Sequence, residues 1–288
     1  MQDIDNPIFK SDHNIYIWGK LPKCDDLDVC VVSINRPDLL EVTLESFSRN
    51  LLSQWPNKRL IINVDPVPTS PDSEKFLSIC KKYFNNGIIR FSKKGNFSNA
   101  VKWSWSNSCT NYIFNLEDDW ICLANIKKND VENTLKVNNL IQIKLPKRHQ
   151  FKVLNSGFSL NPCFINGDWA RKTSALLDSN YDPEKQIRHL IPDVILSAQN
   201  AYKFHQFVSK SKLPVIYDTG TYWKKIKGIQ KTMDVDHQVS WNSRKGFKYL
   251  NECNYILILS KFKYFSLVLR ISLGVVQLFL DKYRSLKS

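Results

Sequence analysis

Tyr112-Ile113-Phe114-Asn115-Leu116-Glu117-Asp118-Asp119-Trp120 is the most informative stretch of the chain. Its first five residues read as a buried strand, and three carboxylates and a tryptophan follow directly. In an open α/β sheet, ligands bind just beyond the carboxyl ends of the strands. Adjacent carboxylates repel one another there unless a cation joins them, and their hard oxygens suit Mg²⁺ or Mn²⁺. Such an ion bridges phosphate oxygens and neutralises charge on a departing diphosphate. The same run also reads as an acidic surface turn or a helix start, where Asp and Glu are favoured. Its context favours the metal reading.

Upstream, β-rich runs alternate with amphipathic stretches. Residues 29–34 read as a strand, and Pro37 fits the first turn of a helix, with Leu40, Leu44, Phe47 and Leu51 at helical spacing. Residues 60–64 form a second strand that ends at Asp65-Pro66. Ser73 is placed to cap the next helix, which turns Phe76, Cys80 and Tyr83 inward. A third strand (88–91), a third helix (98–109) and the strand of the acidic run (112–116) follow. This alternation implies an α/β layer with a largely parallel sheet. Beyond residue 120 the pattern loosens. Residues 127–152 read as a helix and an exposed connection, 158–165 as a strand, 168–177 and 184–198 as helices, and 209–245 as a long functional loop.

Four segments in this order resemble the nucleotide-sugar glycosyltransferases of the GT-A fold, particularly the family-2-like enzymes. Val31-Val32-Ser33-Ile34-Asn35-Arg36-Pro37, with Leu40 and Thr43-Leu44-Glu45-Ser46, resembles the opening strand, loop and helix that hold base and ribose. Ile62-Asn63-Val64-Asp65 resembles the second strand, and Asn96-Phe97-Ser98-Asn99-Ala100 with Lys102 the helix before the acidic motif. Leu116-Glu117-Asp118-Asp119 stands where that family has its DxD motif, although the triplet begins with Glu. The likeness covers roughly residues 28–120 and continues more weakly to about 245. It implies a Rossmann-like, mostly parallel central sheet flanked by helices, with a C-terminal helical extension. The implied division is an N-terminal extension (1–27), a catalytic domain (28–245, with a donor half to 120) and a helical segment (246–288).

The resemblance also implies roles. Ser33, Asn35, Arg36, Asp65, Asn99 and Lys102 would belong to donor binding, with Arg36 and Asp65 at the nucleoside. Glu117 would lie near the ribose, Asp118 near the metal or sugar, and Asp119 would ligate Mn²⁺ or Mg²⁺. The donor would be a UDP- or GDP-sugar, and the acceptor a glycan or lipid-linked hydroxyl.

A transferase that inverts the anomeric centre needs a base to deprotonate the acceptor hydroxyl. Glu184, beside Pro183 at a helix start, is the first choice, because similar Pro-Glu segments in the resembled enzymes approach the acceptor; Asp193 and Asp168 follow. Glu184 reads equally as first-turn dipole compensation. Asn161, before Pro162, either bonds a sugar hydroxyl or starts a turn. Tyr217–Gly228 has glycines around a cationic, aromatic core, which suits a loop closing over a diphosphate through Lys224, Lys225 or Lys227. His237 is a third metal ligand by resemblance and a solvated surface histidine otherwise.

Composition sets the outer bounds. The 288 residues carry 41 Lys+Arg against 27 Asp+Glu, a net charge of +14, and after residue 202 there are 16 basic and 5 acidic residues. The basic excess therefore falls on the candidate closing loop and the C-terminal segment. Residues 264–280 carry one charge, Arg270, between basic flanks, and read as an interfacial helix on an anionic membrane or as a packed helix. Nucleic-acid binding is disfavoured, since no RRM, KH or helix-turn-helix signature occurs. The absence of a GxxxxGK[ST] loop removes P-loop chemistry, while a nucleotidyltransferase remains an alternative. Seven scattered cysteines without a CxxC pair point to reduced thiols. With no basic-then-apolar leader at the start, the expectation is a cytoplasmic enzyme, peripheral on the inner face of a membrane.

Overall fold

The computed structural model describes residues 8–10, 14–19, 26–138, 140–147, 157–190, 204–207, 213–226, 229–233 and 239–243. The expectations for Asp193, His237, Lys227 and residues 246–288 lie outside them, as does the side chain of Lys225.

At the centre is β3 (Leu27–Ile34), whose run of branched apolar residues is buried on both faces, as a central parallel strand requires. Val29 and Val31 point to one core, Cys30 and Val32 to the other. From β3 the chain passes through α1 (Pro37–Asn50) to β4 (Arg59–Asp65), then through α2 (Ser73–Tyr83) to β5 (Gly87–Phe91). It returns through α3 (Phe97–Ser106) to β6 (Tyr112–Glu117) on the other side of β3. These four strands are parallel, in the order β5-β4-β3-β6.

Around that parallel centre the sheet is mixed. A hairpin of β1 (Ile8–Lys10) and β2 (Ile15–Trp18) pairs antiparallel with β5. On the far side, β9 (Cys163–Asn166) runs antiparallel to β6 and to β8 (Gln142–Lys144), and β10 (Phe204–Gln206) is parallel to β8. The result is a nine-stranded sheet, β1-β2-β5-β4-β3-β6-β9-β8-β10, flanked by helices. The expected fold, α/β with a GT-A-type central sheet, is the one observed.

Helices cover both faces. Leu40, Leu44 and Phe47 of α1, Phe76 and Cys80 of α2, and Val131 and Leu135 of α4 (Lys128–Asn138) bury against one face. Ala100, Val101 and Trp105 of α3, and Ala170 of α5 (Gly167–Leu176), bury against the other. Full burial of each large apolar side chain contributes about 1.5–3 kcal/mol. The helix starts follow capping chemistry. Pro37 opens α1, Asn96 caps α3 through Asn99 N–H (2.8 Å), and Asn166 caps α5 through Trp169 N–H (2.9 Å).

Three local expectations are corrected. Asp72, not Ser73, caps α2, because its carboxylate accepts from both Glu74 N–H and Lys75 N–H. The connection expected to be exposed after α4 contains β8, whose three residues are all buried. The strand expected over 158–165 is confined to Cys163–Asn166, because Pro162 has no N–H to give a ladder.

Candidate functional site

The order β5-β4-β3-β6 reverses direction at β3, so the carboxyl ends of β3 and β6 border a crevice. Their register pairs Val32 with Glu117, which sets the acidic triplet beside Ser33 and Ile34. Asp118 turns into this crevice, and its side chain is 1% exposed. Its Oδ2 accepts from Ser33 Oγ (2.7 Å) and Ile34 N–H (3.1 Å), and its carbonyl from Thr43 Oγ1 of α1 (2.8 Å).

Arg36 closes the arrangement. Its Nε donates to both Asp118 oxygens (3.0 Å each) and its Nη2 to Asp118 Oδ1 (2.5 Å) and Asp119 Oδ2 (2.8 Å). Arg36, expected at the nucleoside, thus spends Nε and Nη2 on the triplet while it also lines the adjoining cavity. Carboxylates crowded at a strand end call for a counter-charge, and the guanidinium fork matches them bidentately. Burial works against the Arg36 charge, but Asp118 and Asp119 more than reverse this and hold its pKa above the ordinary range. Trp223 covers the guanidinium at 5.4 Å.

A two-stranded sheet of β7 (Trp120–Cys122) and β11 (Ile216–Asp218) brings the next segment to the triplet, with Asp218 opposite Trp120. Thr219 donates its N–H (2.8 Å) and hydroxyl (2.7 Å) to the Asp119 carbonyl. Gly220 opens α7 (Gly220–Ile226) against the Asp119 carboxylate, and a Cβ there would lie 1.8 Å from Oδ2. Only glycine permits this approach. Burial pushes the Asp119 carboxyl up to about 6; Arg36 opposes this, while Asp118 and Asp218 reinforce it.

The triplet opens onto a cavity of about 430 Å³. Arg36, Lys94, Lys147 and Lys224 face six lining carboxylates: Asp65, Glu117, Asp118, Asp119, Asp182 and Asp218. Asp65, at the end of β4, accepts from Asn63 Nδ2 and Asn96 N–H (2.8 Å each), and burial raises its pKa. Ser33 and Lys224 also line the cavity. Asn35 instead braces the loop after β4 through Thr69 Oγ1 (2.9 Å), and Lys102 reaches the Leu177 carbonyl (3.1 Å). Asn99 gives its N–H to the α3 cap and its carbonyl to Arg90. None of these three borders the cavity.

A second cavity, of about 450 Å³, adjoins the first and shares Phe97, Glu117, Asn161 and Asp182 with it. Glu184 lies in this outer cavity, in the short helix α6 (Pro183–Lys185) that runs on into a wider turn, Gln186–Leu190. Its Oε2 accepts from Leu160 N–H (2.9 Å), and Oε1 pairs with Arg188 (2.9 Å). Asp168, the other candidate base, lies 78% exposed against Arg171 and borders neither cavity. The wall around residues 178–182 is fastened to the start of α3. Asn96 Nδ2 reaches the Ser179 carbonyl (2.9 Å) and Ser98 Oγ the Asp178 carbonyl (2.9 Å). Gln186 Nε2 joins Asp178, Tyr181 and Ser98. Sequence reasoning missed Lys94, Lys147, Asp182 and Asp218; Asp182, between Tyr181 and Pro183, carried a helix-cap signal.

The donor atoms bear on the expected divalent ion. Asp118 does not fit as a ligand, since Arg36, Ser33 and Ile34 N–H occupy its oxygens. Asp119 fits better: Oδ2 holds Arg36, and Oδ1 has no partner among the described residues. No three His, Cys, Asp or Glu side chains form a metal cage among the described residues. A small hard cation on Asp119 would take its remaining ligands from phosphate and water.

No family model matches the sequence, and no curated protein is similar to it in sequence. Its fold is similar to that of TarS from S. aureus (TM-score 0.50, 10% identity), over 67% of this chain and 36% of that one. A mannosyltransferase from Pyrobaculum calidifontis, PcManGT, solved in complex with GDP-Man and Mn²⁺, aligns over 67% of this chain and 61% of its own, with a TM-score of 0.45 and 10% identity. The chain thus spans about a third of the length of TarS and about three-fifths of that of PcManGT.

Proposed function

We propose that the chain transfers a sugar from a nucleotide-diphosphate donor to an acceptor hydroxyl, with inversion at the anomeric carbon. The observation that carries this reading is the acidic triplet at the sheet's switch point, which lines one cavity and, through Glu117, borders the one adjoining it. The inner cavity has the acids and lysines that a diphosphate site needs, and the outer one leaves room for an acceptor. Asp65 supplies a carboxylate for nucleoside N–H or hydroxyl donors, and Lys94, Lys147 and Lys224 face the phosphate charge. Glu117 is held in place by the Trp120 indole N–H (3.0 Å) on the sugar side.

Asp119 would hold Mn²⁺ or Mg²⁺, which would supply charge neutralisation for the departing diphosphate. The remaining work belongs to the protein. Arg36 bridges Asp118 and Asp119 and offsets their charge, while Thr219 and Gly220 hold α7 against the motif so that Lys224 faces the cavity. With direct displacement, the acceptor enters from the outer cavity while the diphosphate stays in the inner one. The acceptor is a glycan or lipid-linked hydroxyl, and the enzyme works at the cytoplasmic face of a membrane. Among the described residues no helix is long and apolar enough to cross one.

The test is thermal stabilisation and nucleoside diphosphate release with UDP-, GDP-, CDP- and TDP-sugars, with and without Mn²⁺. One base should stabilise selectively, because binding to the native state raises stability with affinity. Full turnover in EDTA, or by Asp119→Ala, would remove the metal role. Pyrophosphate as the released product would mark a nucleotidyltransferase instead.

A further inference from the structure

We infer that Asp182 is the general base that deprotonates the acceptor hydroxyl; the assignment rests on the transferase reading above. In a direct displacement the nucleophile and the leaving diphosphate lie on opposite sides of the anomeric carbon. The base therefore belongs at the boundary between donor and acceptor spaces. Two carboxylates border both cavities, Glu117 and Asp182.

Their surroundings separate them. Glu117 continues the triplet, and its Oε2 is engaged by the Trp120 indole N–H (3.0 Å). Glu184 borders only the outer cavity, and Leu160 N–H and Arg188 engage both its oxygens. Asp182 is tethered through one oxygen only. Its Oδ1 accepts from Lys185 N–H (3.1 Å) as the N-cap of α6, while Oδ2 has no partner among the described residues. A half-exposed carboxylate with one oxygen fixed and the other open is oriented and free to take a proton. The Gln186 bond to the Tyr181 carbonyl (2.9 Å) holds the preceding residue in place.

In the step, the acceptor oxygen forms a bond to the anomeric carbon as its proton passes to Asp182 Oδ2. The bond from that carbon to the diphosphate oxygen breaks, and its electron pair leaves with the nucleoside diphosphate. Asp182→Asn keeps an oxygen for the helix cap and removes the basic carboxylate, so it tests the chemistry without deleting the cap. The probe is hydrolysis of UDP- and GDP-hexoses, in which water is the acceptor, with and without sodium azide, a nucleophile that needs no deprotonation. We expect Asp182→Asn to lower nucleoside diphosphate release about 100-fold or more. Azide should restore release with formation of a glycosyl azide, and the thermal shift given by UDP or GDP should match that of the wild type. Wild-type hydrolysis by Asp182→Asn overturns the assignment. Azide rescue confined to Glu184→Gln or Glu117→Gln overturns it as well. Failure of the wild type to release nucleoside diphosphate from any donor overturns the transferase reading itself, an outcome distinct from the other two.

Discussion

The two ends of β3 carry the same pair of residues and use it differently. At the amino end, Asp28 is bonded to Arg59 Nε (2.8 Å) and Nη2 (3.2 Å) and accepts from Cys109 N–H (2.7 Å) and Thr110 N–H (3.2 Å). At the carboxyl end, Asp118 is bonded to Arg36. Burial does not distinguish the pairs, since both arginine side chains are 8% exposed and the aspartates 0% and 1%. The difference is stoichiometry. At the amino end Arg59 meets one carboxylate, and its Nη2 also reaches the Asn107 carbonyl (2.9 Å) and the Cys109 sulfur. At the carboxyl end one guanidinium is shared by two aspartates beside a cavity that holds further acids. A closed pair stabilises; a pair with surplus charge leaves an electrostatic demand that a ligand can meet.

The largest expected effect is on the closed pair. Asp28→Ala leaves Arg59 buried without its partner and should cost about 3–5 kcal/mol in urea unfolding. Activity per folded molecule should be unchanged, and a specific loss of turnover would break the contrast. Asp119→Ala should do the reverse. Turnover falls about 10²–10³-fold, the scale for removing one electrostatic stabiliser of a transition state, while the urea midpoint moves little. Gly220→Ala should displace the Asp119 carboxylate and lower turnover by up to about 10²-fold, the cost of roughly 1 Å of misplacement. Turnover at the wild-type level would show that α7 need not sit against Asp119.

The smallest effect concerns pH. Burial lowers the pKa of Lys144 to about 8, with Arg188 pushing the same way and Cys163 and Glu184 opposing. Its folded pKa lies below the unfolded value of 10.5, so the unfolded chain binds more protons between these limits. Stability from this group therefore rises with pH from about 8 to 10.5, by at most about 1.4 kcal/mol per pH unit. Lys144→Met should lack that rise, and equal slopes in the two proteins would show that Lys144 is not the source.

The central sheet was legible because its signals are local. Val29 to Ile34 is apolar at every position but one, Pro37 marks a helix start, and Asp65 and Glu117 end their strands. The outer strands were not legible, because β8 and β10 are three residues each and owe their state to tertiary pairing. The site divides along the same line. The triplet could be read from its strand, but the partner of Asp118 depends on a β3–β6 register linking residues more than 80 positions apart. Nothing local in the sequence raises Asp182 above Glu184, because only the three-dimensional arrangement places it at the boundary of two cavities.

The bonds that fasten residues 178–182 to α3 set a rule for recombination. Gln186, Asp178, Tyr181 and Ser98 form one network, with Asn96 bonded to Asp65 on one side and Ser179 on the other. A chimaera joined after β6 would keep the parallel centre of the sheet intact and still split this network, leaving the grafted turn without its mooring. An exchange that carries Asn96 and Ser98 together with 178–186 moves a self-contained cassette, and acceptor preference should travel with it as one heritable unit.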